Sequence, residues 1–164
     1  MERSEAIRII TLKCREMGIH KVEQIQYVIA TVEHETAGTF KPVEEAYYIP
    51  NAEAYRRRKL KYYPYYGRGF VQLTHKYNYE KFSKIMNIDL VGNPALALEF
   101  DNSLFILIYG MIKGTFTGKK LDDYFNKAGS NFVKARKIIN GTDKAKKIAI
   151  LAQNIRVDYF DEVL

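Results

Sequence analysis

Three short segments hold most of the side chains able to do chemistry. The first is Glu33-His34-Glu35-Thr36. Before it, Val22, Ile25, Val28, Ile29 and Val32 recur at three- and four-residue spacing, which predicts a helix over about 22–36. At 100° per residue, Glu35 falls on one border of the apolar stripe, Glu33 on the other, and His34 points away. Glu35 sits in the last turn, where the macrodipole disfavours a carboxylate, and partial burial acts in the same direction. Both favour the protonated carboxyl that a general acid needs. A solvated glutamate at a helix end has the same periodicity, so spacing alone leaves both readings open.

The second segment is Glu44-Glu45. Two carboxylates facing one another can cleave a glycosidic bond. One protonates the leaving oxygen while the other activates water or attacks carbon, and a separation of ~6.5–9.5 Å gives inversion where ~5–5.5 Å gives retention. The third segment runs Tyr62-Tyr63-Pro64-Tyr65-Tyr66-Gly67-Arg68-Gly69-Phe70-Val71-Gln72-Leu73-Thr74. Two glycines around an arginine predict a tight backbone turn or a close approach to a ligand. Gln72 and Thr74 are able to hold a water or a sugar hydroxyl. A tyrosine offers a ring face to a pyranose and a hydroxyl at its edge, although the tyrosines also suit a purely structural role. The segment lacks the Gly-Lys-Ser/Thr of a phosphate loop and the third glycine of a dinucleotide site. His20, His34 and His75 have no metal-ligand spacing, so no metal or cofactor is expected.

Helices must position these segments. Ser4 can cap a first helix, with Ile7, Ile10, Cys14 and Met17 inward and Gly18 as its stop. Residues 40–69 hold three of the four prolines and have weak periodicity. They read as a long ordered loop with one short helix near 51–58, and long loops in compact domains are usually functional. Residues 70–73 suit a short strand with Phe70 and Gln72 on one face. Thr74 can cap a helix over 75–86. Asn93-Pro94 starts a turn, and Asp101 or Asn102 opens an apolar helix to about Lys113. Ser130 opens another that ends at Asn140-Gly141. Thr142 or Asp143 caps the last helix, with Ile148, Leu151, Ala152, Ile155 and Tyr159 inward. The fold class is mainly α, in a single domain over 1–164.

Composition narrows the classes. At 164 residues, 47% hydrophobic and 27% charged, the chain suits one globular domain without disulfide staples. Cys14 alone excludes an intrachain disulfide and cysteine-based zinc modules. It reads as a small buried hydrophobe. No secretory signal is legible, and the most apolar run, 104–112, is about half the ~20 residues of a membrane span. Synthesis in the cytoplasm without stable membrane insertion is expected. The net charge of +7 suggests a polyanionic partner. Arg56-Arg57-Arg58-Lys59 and Lys144-Ala145-Lys146-Lys147 suit solvated faces better than binding sites, with the first the better candidate for an anion.

Read together, these segments resemble glycoside hydrolase family 19, the family of class I chitinases and of bacteriophage endolysins. His34-Glu35-Thr36 resembles its His-Glu-Thr motif. Tyr66 to Tyr79 is similar to its Gly-Arg-Gly-x-x-Gln-Leu-(Ser/Thr) signature with an Asn-Tyr extension. Asp89-Leu90-Val91-x-Asn93-Pro94 and Ala135-Arg136-x-Ile138-Ile139-Asn140-Gly141 resemble two later segments. The resemblance implies a lysozyme-like, mainly α fold with a central substrate cleft. It also implies hydrolysis of β-1,4 bonds between N-acetylated amino sugars with inversion and no cofactor. Glu35 would be the acid and Glu45 the base. Glu44 is the alternative base, because Ala37-Gly38-Thr39 stands where the family has Gly-Gly. Thr74 would position the water, and Tyr66, Arg68, Gln72, Tyr77, Asn78 and Asn140 would bind substrate.

The cysteine pairs, tryptophans and signal of plant chitinases are absent. That favours a monomeric endolysin, made in the cytoplasm of a bacterial host and acting on peptidoglycan glycan strands after release. Whether it is a muramidase or a glucosaminidase stays open. The alternatives are a chitinase acting on chitin oligomers, or a non-catalytic basic wall-binding module. The positive surplus then reads as attraction to an anionic cell envelope, with no nucleic acid as partner.

Overall fold

The computed structural model describes residues 1–157 and is mainly helical, as the periodicity predicts. Tyr159 lies outside the described residues. The helices are α1 (Arg3–Glu16), α2 (Val22–Glu35), α3 (Ala52–Lys59), α4 (Lys76–Met86), α5 (Phe100–Lys113), α6 (Leu121–Tyr124) and α7 (Ala145–Gln153). Short 3-10 helices cover Pro94–Leu98 and Lys134–Ile138. Two antiparallel ribbons complete the elements: β1 (Val43–Glu44) with β2 (Arg68–Gly69), and β3 (Phe125–Asn126) with β4 (Gly129–Ser130). Among the described residues, no helix is long and apolar enough to cross a membrane.

Contacts divide the chain into two compact units. One comprises Met1–Phe40 and the chain from Leu107 onward; the other is Lys41–Ile106. In the first unit α2 packs most extensively against α7 and next against α1. That explains why its burial is wider than a single stripe: Ile25 and every residue from Tyr27 to Glu33 are buried. Gln24 is buried as well, and its side-chain amide donates to Asp122 Oδ1 at 2.8 Å and to the Phe125 carbonyl at 2.9 Å. Cys14 is fully buried on α1, which fits a small core hydrophobe. Glu33, placed on the border of the stripe, is 9% exposed and takes both Nε and Nη2 of Arg3, at 2.5 and 3.1 Å.

In the second unit the irregular stretch is ordered by pairing and by α3. β1 and β2 pair Val43 with Gly69 and Glu44 with Arg68. The expected strand over 70–73 is instead a tight reversal: Arg68 N–H donates to the Leu73 carbonyl at 3.1 Å and Leu73 N–H returns to Arg68 at 2.8 Å. Gln72 turns the chain at φ 56, so Phe70 and Gln72 do not share a strand face. Phe70 and Leu73 are buried under the turn.

Other boundaries also moved. Arg3 precedes Ser4 in α1, and the N-cap is Glu2 with no side-chain bond. Thr74 does not cap α4, because its hydroxyl donates to the Gln72 carbonyl at 2.7 Å; His75 occupies the cap position. No α-helix opens at Ser130. Asn126 Oδ1 accepts the Ala128 N–H at 2.9 Å and closes a turn that places Ser130 in β4. The following buried pair, Ala135 and Ile138, has the i, i+3 spacing of a 3-10 helix. α7 begins after Lys144 and has no side-chain cap from Thr142 or Asp143.

Gly69 has φ +99, and a Cβ there would sit 3.3 Å from both the Ala97 carbonyl and Ser103 Oγ. Gly69→Ala is expected to lose about 1–3 kcal/mol from this backbone strain and crowding. A urea midpoint equal to that of the parent would contradict the conformation.

Candidate active site

The sequence-predicted residues form two groups, one in each unit. In the first unit, Glu35 ends α2 with its side chain 28% exposed. Its Oε1 accepts a hydrogen bond from Arg136 Nη1 at 2.8 Å. Arg136 is only 3% exposed, and its Nε donates to the Asp143 carbonyl at 2.8 Å. Its own carbonyl accepts the Asn140 N–H at 2.9 Å, so Asn140, with its side chain on the surface, is tied to the same arginine. Glu35 thus has a cationic partner besides the helix end and the partial burial legible in the sequence.

Tyr27 belongs to this group and was not singled out from sequence. Its hydroxyl is buried and makes no hydrogen bond among the described residues. Burial pushes its pKa up, while Arg136 pulls it down and Glu35 raises it, which puts the ring within the field of that pair. Burial likewise lowers the pKa of His34; Glu35 opposes this, and Arg136 and Lys147 add to it.

In the second unit the glutamates are held from the tyrosine-rich segment. Glu45 Oε1 accepts the Gly67 N–H at 2.8 Å and Oε2 accepts the Tyr62 hydroxyl at 2.5 Å. Its backbone carbonyl accepts Arg56 Nε at 2.7 Å. Glu44 Oε2 accepts the Tyr66 hydroxyl at 2.5 Å and lies 3.4 Å from Arg56 Nη1. Glu44 therefore faces a cation, whereas both oxygens of Glu45 take neutral donors. The hydrogen bond to Glu45 and then burial push Tyr62 up to about 12. Burial and then the bond to Glu44 push Tyr66 up to about 12. Both phenols stay protonated donors across the neutral range.

Arg68 and Tyr66 are buried, at 6% and 4% exposed. Arg68 Nη1 donates to the Pro64 carbonyl at 2.8 Å and to the Tyr79 hydroxyl at 2.9 Å, and its guanidinium lies 3.7 Å from the centre of the Tyr66 ring. Tyr79 in turn donates to the Tyr66 carbonyl at 2.6 Å. Gln72 Nε2 donates to the Val43 carbonyl at 2.7 Å, and Asn78 Nδ2 donates to the Thr74 carbonyl at 2.8 Å. A Cβ on Gly67 would lie 2.6 Å from Gln72 Oε1, so a side chain there would push that amide aside. Tyr77 stands apart, 67% exposed and stacked on the His75 ring at 5.6 Å.

The tyrosine hydroxyls of the segment are committed inward or along the surface. Tyr63 donates to Glu53 at 2.6 Å and Tyr65 to the Val91 carbonyl at 3.0 Å. The exposed aromatic faces are elsewhere, at Tyr47 and Tyr48, a pair 65% and 76% exposed that sequence reading passed over. Arg56 also departs from the expected solvated face. It is 6% exposed, while Arg57, Arg58 and Lys59 are exposed. Both Arg56 and Arg57 pair with Glu53, at 3.5 and 3.1 Å, so that spacing does not mark which of them is buried. Arg136 had a signal, as a basic residue between the buried Ala135 and Ile138. Among the described residues no three His, Cys, Asp or Glu side chains converge as a metal site requires.

Three stability measurements check this geometry. Arg136→Met should cost about 2–3 kcal/mol, since it strips a charged hydrogen-bond partner from Glu35 and leaves the Asp143 carbonyl unpaired. Tyr27→Phe should be neutral or slightly stabilising, because the hydroxyl it removes has no partner. His34 binds a proton less readily folded than unfolded, so its contribution is present above its ordinary value of 6.5 and is lost as pH falls below it. His34→Gln should flatten that part of the stability curve.

Both groups carry motifs met in known proteins. The sequence profile of chitinase class I, glycoside hydrolase family 19, matches residues 20–106, more than half of the chain. Over 33 residues, 20% of this chain, the sequence is 61% identical to "Chitinase 11" of Oryza sativa subsp. japonica. It is 54% identical to "Chitinase 8" of the same plant over a stretch of equal length. The matched stretch spans 13% of the length of each of these curated relatives. By the profile match, the chain belongs to the chitinase class I family, glycoside hydrolase family 19.

Proposed function

We propose that the chain is a glycosidase that hydrolyses β-1,4 bonds between N-acetylated amino sugars of bacterial peptidoglycan, in the manner of an endolysin. The observation that carries the catalytic reading is the grip on Glu45. A backbone N–H at 2.8 Å and a phenol at 2.5 Å fix the carboxylate in direction without neutralising it. Each carboxylate oxygen has two lone pairs, so Glu45 keeps acceptor capacity for a water. In this mechanism Glu35 gives its proton to the glycosidic oxygen as the C–O bond breaks. Glu45 takes a proton from the water whose oxygen bonds to the anomeric carbon, and the product has inverted configuration. Thr74, which donates its own proton to the Gln72 carbonyl, presents an acceptor lone pair able to orient that water.

Glu44 is the weaker candidate for base because Arg56 lies 3.4 Å from it. Its role here is to tie β1 to Tyr66 and Arg56. Asn78 and Asn140 offer amides to sugar substituents, and Tyr47, Tyr48 and Tyr77 offer exposed ring faces to pyranoses. The buried Tyr66 and Arg68 act as supports for that surface. The net charge of +7 supports an anionic wall as the target. A second reading takes chitin oligomers as substrate, and it is favoured by the names of the two plant relatives.

Mass spectrometry of purified peptidoglycan and of chitin oligomers after digestion tests the substrate. Reducing-end sugars released from the wall, with peptide bonds intact, are expected. Cleavage of chitin alone would favour the second reading, and no cleavage of either would refute both. Glu35→Gln should lower turnover by several orders of magnitude while wall binding persists. Glu45→Gln should do the same, whereas Glu44→Gln should lose mainly stability. Equal loss of kcat in Glu44→Gln and Glu45→Gln would overturn the assignment of the base.

A further inference from the structure

Residues 133–147 hold six basic side chains against one acid, Asp143, and so carry most of the chain's positive surplus. Five of the six, Lys134, Lys137, Lys144, Lys146 and Lys147, line one pocket of about 510 Å³ together with Val133, Gly141, Thr142 and Ala145. All five lysines are exposed, and none makes an ion pair among the described residues. The accessible wall of the pocket is nevertheless almost entirely carbon. The lysines therefore contribute methylene stems to the wall and hold their ammonium groups at the rim. The first turn of α7 opens on the same pocket, and its dipole adds partial positive charge.

The pocket is continuous along the chain with the Glu35 group. Lys137 follows Arg136, Gly141 follows Asn140, and Arg136 Nε binds the carbonyl of Asp143, which precedes Lys144. Lys147 contributes to the field at His34, the neighbour of Glu35. The segment that lines the pocket thus also supplies Arg136, the partner of Glu35.

An apolar wall under a cationic rim suits an anion with a small apolar body. It suits neither a neutral sugar chain nor a phosphodiester polymer that is polar throughout. We propose that this pocket binds the acidic peptide stems of peptidoglycan, its wall taking alanine methyl groups and its lysines the carboxylates, and that it selects stem-bearing glycan over neutral glycan. The inference rests on the wall-glycosidase reading and names the part of that substrate which the sugar subsites do not address.

The test compares KM for solubilised peptidoglycan bearing its stems with KM for the same glycan after enzymatic removal of the stems. Wild type should favour the stem-bearing strand by roughly tenfold at low salt, the size expected from about three exposed ion pairs. The preference should fade as ionic strength rises. In Lys137→Gln/Lys144→Gln/Lys147→Gln the ratio should fall to about one. An equal charge loss at Lys61, Lys81 and Lys84, outside the pocket lining, should leave it unchanged. A pocket variant that keeps the ratio overturns the proposal, as does a control variant that loses it.

A second arm does not depend on turnover. The free acidic stem peptide is titrated into wild type and into the pocket variant and followed by NMR. Binding lost in the variant supports the pocket even if neither glycan is cut, in which case only the glycosidase reading falls. No binding to wild type, or binding of a polyglycerol-phosphate chain in place of the peptide, overturns it.

Discussion

A buried guanidinium dictates much of the first unit. Arg136 is 3% exposed, and a charge so far from water must find acceptors or lose several kcal/mol. It finds them on separate stretches of chain, in the carboxylate that ends α2 and in the carbonyl of Asp143 ahead of α7. The packing of α2 against α7 and the direction of Glu35 are therefore one problem with one solution. An acid at a helix end would ordinarily wander through its rotamers; here its direction is fixed by the burial of another residue.

The second unit meets the same requirement with different chemistry. Arg68 is 6% exposed, and its Nε has no hydrogen-bond partner among the described residues. The Tyr66 ring at 3.7 Å offsets part of that cost through its π face. Tyr66 then passes the constraint on, since its hydroxyl orients Glu44 while its neighbour Gly67 offers its N–H to Glu45. Two neutral donors direct Glu45, the kind of arrangement that preorganised electrostatics demands, whereas Glu44 also faces Arg56 at 3.4 Å. The tyrosine-rich segment serves mainly as a scaffold of donors.

Sequence reading succeeded where one periodicity or one turn chemistry decided the outcome. The apolar repeat of α2 placed Glu35 in its last turn, one residue before the expected end, and two glycines around Arg68 announced the tight turn seen there. It failed where tertiary partners decided. Nothing local distinguishes the buried Arg56 from the exposed Arg57, because the distinction is made by Glu44, Glu45 and Tyr66. Thr74 was credited with a cap because threonine often serves as one, but the reversed backbone at Gln72 captured its hydroxyl. The ribbon of β3 and β4 was missed because Ser130 reads equally well as a helix start, and the turn that claims it depends on Asn126. The pairing of Arg136 with Glu35 was not legible for a related reason: 101 residues separate them.

The approach of the Gln72 amide to Gly67 has a consequence for how this sequence can drift. With Oε1 2.6 Å from where a side chain at 67 would begin, the two positions share one volume. A methyl group at 67 would push the Gln72 amide aside, and a shorter residue at 72 likewise gives up its bond to the Val43 carbonyl and loosens β1, which carries Glu44. Either change ends in the loss of the same hydrogen bond. Positions 67 and 72, five residues apart, thus constrain one another through a single amide lying against bare backbone.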